Sequence, residues 1–175
     1  MRIALCGASG TGKTTIVTNL SKVLGLPVCP VGSRSVAASM GFSSPYEVDA
    51  AGLRESFQRK LWAEKRDWEL ANPAFITDRT VFDNVVYSSL EGYNYPIEDL
   101  MAITDHMREV YTAVVFTPLT SFHFVGDDPA RRQDLSYHRR FEQLLVRMLA
   151  WANIKYTAVS TYEMHSLLAG VSRGA

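Results

Sequence analysis

Ile3-Ala4-Leu5-Cys6-Gly7-Ala8-Ser9-Gly10-Thr11-Gly12-Lys13-Thr14-Thr15 decides the fold. A short apolar run beginning at Arg2 stops at Gly7, and a helical pattern starts near Lys13, with Ile16, Leu20, Val23 and Leu24 on one face and Gly25 as its stop. The unit is a strand, a glycine loop and a helix. Glycines let successive backbone N–H groups converge on an anion, and the helix N-terminus adds favourable partial charge. In the spacing G-x-x-x-x-G-K-T, Lys13 reaches the β- and γ-phosphates of a nucleotide and the Thr14 hydroxyl is placed for Mg²⁺. The bland alternative is a glycine turn between a strand and a helix.

Outward from this unit the chain alternates. Leu26 to Val31 reads as a second strand bounded by prolines, and a helix or helix pair runs from the Ser44 cap through Pro45, Glu47, Leu53, Phe57 and Leu61 to Pro73. Ala74 to Thr77 is the third strand, with Asp78-Arg79 at its end and a helix through Val85, Val86 and Leu90 behind it. A helix opening at Tyr95-Pro96 leads to the strongly β-prone Ala113 to Phe116, ended at Thr117-Pro118. An arginine-rich polar stretch precedes an amphipathic helix marked by Phe141, Leu144, Leu145 and Met148. Tyr156 to Ser160 is a fifth strand, and Ser160 with Glu163 forms a capping box. Alternating strands and helices imply a three-layer α/β/α fold with a five-stranded parallel sheet, and ligands in such sheets sit beyond the carboxyl ends of the strands.

At 175 residues the chain suits one domain, expected over 1–175 with a small lid near 121–137. Its 47% hydrophobic and 21% charged residues are those of an ordinary globular protein. Eighteen basic against eighteen acidic residues give zero net charge, which argues against nucleic acid or anionic membrane as a partner of the whole molecule. The apolar start is far shorter than a signal-peptide core and no run approaches a membrane span, so a cytoplasmic protein is expected. Cys6 and Cys29 are expected as buried thiols, and four scattered histidines give no metal-ligand spacing.

A guanine-specifying N-K-x-D is absent, and Asp49-Ala50-Ala51-Gly52 matches D-x-x-G only within a helical stretch. A motor ATPase usually ends a long apolar strand in two acids, whereas the strand ending at Thr77 continues Asp78-Arg79. These absences point away from switches and motors and toward transfer.

The run Asp78-Arg79-Thr80-Val81-Phe82-Asp83-Asn84-Val85-Val86-Tyr87 resembles an element of P-loop nucleoside and nucleotide kinases. Its long form is similar to bacteriophage deoxynucleoside monophosphate kinases and to the nicotinamide riboside kinase-like group. With the loop and an arginine-bearing lid, the resemblance spans most of the chain. It implies ATP and Mg²⁺ as cofactors, with Gly7, Ser9, Gly10, Thr11, Gly12, Lys13, Thr14 and Thr15 around the nucleotide. Thr14 and Asp78 are the candidate metal ligands.

Phosphoryl transfer asks the protein mainly to position groups and neutralise charge. Asp78 can orient Mg²⁺ or its water, accept a proton from a hydroxyl acceptor, or merely cap the next helix. Arg79 is the candidate acceptor-side cation, because guanidinium holds phosphate in bidentate fashion. Arg131 and Arg132 fit a lid that closes over the phosphates, with Arg139 and Arg140 extending the cluster; a solvated helix start is the alternative. Arg34 follows the second strand, where related kinases hold the acceptor. Phe57-Gln58 resembles an aromatic-amide pair that stacks on a base and reads its edge, although Phe57 also falls on the apolar stripe of its helix. Asp83 and Tyr87 either line the acceptor pocket or cap and pack their helix.

Deoxynucleoside kinases commonly carry a glutamate base after the second strand, and Val31-Gly32-Ser33 offers none. The expected acceptor is therefore a nucleoside monophosphate, which is already anionic and chiefly needs arginines. A nucleoside or nicotinamide riboside-like acceptor, a hydroxyl in modified DNA, and a non-catalytic ATP-binding switch are the alternatives. A homodimer through the long helices stays open, since Leu53, Phe57, Leu61 and Trp68 serve equally as internal core.

Overall fold

The computed structural model describes residues 1–119, 134–160 and Glu163. Four strands, β1 (Arg2–Cys6), β2 (Phe75–Asp78), β3 (Ala113–Phe116) and β4 (Thr157–Ala158), form one parallel sheet in the order β2-β1-β3-β4. Ile3 stands opposite Ile76 on one side and Ala113 on the other, so the carboxyl ends of β1, β2 and β3 lie along one edge. Seven helices accompany them among the described residues: α1 (Lys13–Leu24), α2 (Ser33–Ser39), α3 (Pro45–Ala50), α4 (Arg54–Ala71), α5 (Val81–Leu90), α6 (Ile97–Val110) and α7 (Leu135–Trp151).

Both sheet faces are apolar because both are covered. Ile3, Leu5 and Ile76 pack with Ile16 and Val17 of α1. The intervening Ala4, Cys6 and Phe75 face the other way, into a larger core with Val85 and Val86 of α5, Ile103 and Met107 of α6, and Phe141 and Leu145 of α7. A third cluster joins Val36 and Ala37 of α2, Val48 of α3, and Phe57 and Leu61 of α4. This is the expected three-layer α/β/α arrangement. Among the described residues no helix is long and apolar enough to cross a membrane.

The sheet has four strands where five were expected. Leu26 to Val31 makes only a parallel bridge, Val28 to Ile76, with Ile76 N–H donating to the Pro27 carbonyl and Cys29 N–H to the Ile76 carbonyl, each at 2.9 Å. Pro27 brings no N–H toward β2, so the ladder cannot extend back from the bridge. The segment nevertheless runs along the outer edge of β2. On α1, Val23 and Leu24 are exposed, so the buried stripe is shorter than its pattern. The long helical stretch is a pair broken at Gly52, and Asp49 lies in α3, as its pattern implied. Cys6 and Cys29 are buried free thiols. Ser160 and Glu163 cap reciprocally: Ser160 N–H donates to the Glu163 carboxylate at 2.8 Å and Glu163 N–H to the Ser160 hydroxyl at 3.1 Å.

Candidate active site

The loop after β1 is shaped by its backbone. Gly7 has φ 136°, and a Cβ there would lie 2.5 Å from the Thr117 carbonyl oxygen and 2.7 Å from its hydroxyl, so only glycine fits. Thr117, at the end of β3, braces the loop: its hydroxyl lies 2.8 Å from the Thr11 hydroxyl and 3.1 Å from the Cys6 carbonyl. Gly12 caps α1 at φ 80°, a left-handed conformation, and turns the first helical N–H groups toward the loop. Lys13 is buried, with its ammonium donating to the Ala8 carbonyl and, at 3.2 Å, to the Thr11 hydroxyl. Burial pulls its pKa down to about 8, the Arg79 guanidinium adding to the fall while Asp78 and Asp83 oppose it. Thr14 and Thr15 are exposed.

The end of β2 is built by side chains. Strand alternation sends Asp78 to the α1 face, where its carboxylate accepts a hydrogen bond from the Thr14 hydroxyl at 2.5 Å. The chain then turns sharply at Arg79, whose φ is 90°, a rare and strained value for a residue with a side chain. Arg79 N–H donates to the Leu5 carbonyl at 2.9 Å, tying the corner to β1. Its guanidinium lies 4.8 Å from the Tyr87 ring centre and 3.6 Å from the Asp83 carboxylate.

Asp83 joins the two halves. One carboxylate oxygen accepts the Gly7 N–H at 3.1 Å and faces Arg79; the other accepts the Thr80 N–H at 2.9 Å and the Thr80 hydroxyl at 2.6 Å, forming the cap of α5. Burial pushes its pKa up, and Arg79, Lys13, Thr80 and Gly7 hold it back. Of the two readings of Asp83, the helix cap is the one its hydrogen bonds match: it is fully buried and both oxygens are taken. Its motif spacing is also that of a capping box, and the cap is what forms.

Phe57 sits where the core reading of its helix stripe put it. It is 1% exposed in the cluster with Val36, Val48 and Leu61, and offers no open face to a base. Gln58 is buried beside it, its side-chain oxygen accepting from the Tyr95 hydroxyl at 3.3 Å. Tyr87 packs against Phe141, ring centres 4.2 Å apart, under the Arg79 guanidinium. Arg34 is exposed in the first turn of α2, where the Ser35 hydroxyl accepts the Gly32 N–H at 2.9 Å. Arg131 and Arg132, and the expected lid up to residue 133, lie outside the described residues. Asp134 caps α7 through the Ser136 N–H at 2.8 Å, so residues 135–137 belong to that helix's first turn, and Arg139 and Arg140 are exposed on it. The bracing role of Thr117 and the Asp83 link to Gly7 went unread in the sequence. Polar residues at adjacent strand ends were the only signal for them.

A glycine loop between β1 and α1, beside the end of β2 at Asp78, is the arrangement of a P-loop fold. The chain belongs to the family described as AAA domain, whose match spans residues 2–165. Among solved structures it is similar to the YorR protein of Bacillus subtilis in complex with phosphorylated GDP, at 17% identity and TM-score 0.65, covering 99% of this chain and 94% of that one. Deoxyadenosine kinase from M. mycoides with products dCMP and dCDP matches at 17% identity and TM-score 0.59, covering 99% and 98%. Shikimate kinase from Aquifex aeolicus matches at 18% identity and TM-score 0.58, also over 99% and 98%. No curated protein matches the sequence.

Proposed function

We propose that this protein is an ATP-dependent kinase that moves the γ-phosphoryl group to a nucleoside monophosphate, with a deoxynucleotide favoured by the resemblance of its Asp-Arg element. The observation that carries this reading is the state of the Asp78 and Asp83 carboxylates. Asp78 is held against Thr14 on the loop side and Asp83 is sealed beneath the loop, an arrangement that favours an acceptor with no sugar hydroxyl proton for a base to take. A monophosphate needs no such base; it needs cations, and Arg79 stands at the corner with Arg34 on α2. The similar YorR structure holds phosphorylated GDP, and the deoxyadenosine kinase structure holds dCMP and dCDP as products.

The Thr14 hydroxyl and Asp78 carboxylate are hard oxygen donors side by side, and they fit Mg²⁺, directly or through its water. When bound, the ion offsets phosphate charge. The loop N–H groups hold the β-phosphate, Lys13 leaves the Ala8 carbonyl for the γ-phosphate, and Arg79 exchanges Asp83 for the acceptor phosphate. Arg131 and Arg132, which lie outside the described residues, are assigned the part of lid cations in this reading.

The test is ADP release across a panel of nucleosides, nucleoside monophosphates, shikimate and oligonucleotides. Stimulation by a monophosphate is expected. Stimulation only by an unphosphorylated hydroxyl compound contradicts the acceptor assignment, and ATP binding without ADP release under any acceptor favours the non-catalytic ATP-binding switch.

A further inference from the structure

Beneath the sheet, on the face opposite Thr14, a charged network is buried between α4, α6 and β2. Glu69 is fully buried and accepts from the Tyr111 hydroxyl at 2.8 and 3.0 Å, pairs with His106 Nε2 at 2.7 Å, and lies 3.3 Å from the Lys65 ammonium. Lys65, 1% exposed, donates at 2.6 Å to the Thr77 hydroxyl. That hydroxyl in turn donates to the Arg79 carbonyl at 3.3 Å. An ion pair taken out of water costs several kcal/mol per ion before its attraction is counted, and apolar side chains of the same volume commonly serve a core as well. Packing alone therefore does not call for a lysine here.

The network ends at the strained residue. Strand alternation puts Thr77 and Asp78 on opposite faces of β2, so the sheet separates the network from the site, and the Arg79 carbonyl is where it reaches across. A φ of 90° at a residue with a side chain persists only when its surroundings over-determine it. The Arg79 N–H is fixed by Leu5, and Thr80 is fixed by its cap with Asp83. The peptide between them is held through Thr77.

We infer that Lys65 and Thr77 are positioning residues for phosphoryl transfer: Lys65, set by Glu69, orients the Thr77 hydroxyl, which locks the Arg79 carbonyl and so aims Asp78 at the loop and the Arg79 guanidinium at the acceptor side. The inference rests on the kinase reading for its consequence and on the geometry alone for its mechanism.

Thr77→Val keeps the shape and deletes the hydroxyl, Thr77→Ser keeps the hydroxyl, and Lys65→Met removes the donor while His106 and Tyr111 still serve Glu69. Thr77→Val and Lys65→Met are expected to lower kcat about tenfold with the KM for ATP within about twofold, and Thr77→Ser to stay within about twofold of wild type. A role confined to stability would shift Tm and leave kcat alone, and that result overturns the inference. A crystal structure of Thr77→Val decides independently of turnover: Arg79 leaving positive φ, or Asp78 parting from Thr14, is expected. An unchanged corner overturns the inference even if the wild-type protein proves to transfer phosphate to nothing, an outcome that would sink only the kinase reading. Should Thr77→Val fail to fold, the crystal structure of Lys65→Met is read by the same criterion.

Discussion

The loop after β1 and the corner after β2 meet at the Thr14–Asp78 hydrogen bond, yet they are built in opposite ways. The loop takes its shape from residues that lack side chains: Gly7 at φ 136° against Thr117, and Gly12 at φ 80° before α1. The corner reaches a comparably unusual backbone with an arginine at φ 90°, held by Leu5, Thr77, Thr80 and Asp83 from four directions. A phosphate nest needs bare N–H groups, so glycine is both permissive and functional there. The corner has to deliver a charge, so the strain of a side chain at positive φ, about 1–3 kcal/mol, is accepted and offset by contacts.

Exchanging the two strategies should break each half differently. Gly7→Ala drives a methyl into Thr117 at a φ hostile to alanine, and it should cost about 3 kcal/mol or more and abolish nucleotide binding. Thermal unfolding and ATP titration check both. Arg79→Gly should do the reverse: relief of backbone strain offsets part of the lost contacts with Tyr87 and the buried Asp83, leaving a smaller loss of stability than Gly7→Ala, while transfer falls about a hundredfold and ATP still binds. Asp83→Asn strikes the link itself. Its amide must face either Gly7 N–H or Thr80 N–H, both donors, so it should cost about 2 kcal/mol and weaken ATP binding and transfer together. A loss confined to one of the two would show that Asp83 does not couple the halves.

The smallest effect is a matter of pH. Lys13, pulled by burial to about 8 in the ligand-free protein, must carry its proton to meet the phosphates. Below that value affinity is flat; above it, binding requires proton uptake and weakens, by about tenfold between pH 7 and pH 9. Calorimetry in buffers of different ionisation enthalpy reads the proton uptake directly.

The loop was legible in the sequence because its chemistry is local: spacing, glycines and one lysine carry the whole device. Most of the order of strands and helices was legible for the same reason, down to the Ser160–Glu163 cap, although α2 after Gly32 went unread. The edge strand was over-read because apolar content at Leu26 to Val31 spoke for a strand while Pro27 lacks the N–H that would face β2. At the corner, Asp78 and Arg79 were visible as residues but their supports were not. Lys65, Glu69, His106 and Tyr111 meet only after α4 and α6 pack, and Lys65 read alone is a surface charge on a long helix. Phe57-Gln58 looked like a base-binding pair, but core packing against α2 and α3 claimed Phe57.

Whether the two halves make one transfer site is tested most directly by following the terminal phosphate of γ-labelled ATP in the presence of nucleoside monophosphates. Label appearing in a nucleoside diphosphate, and lost in Arg79→Gly although ATP still binds, is the predicted result. Label released only as inorganic phosphate, with or without acceptor, would contradict it.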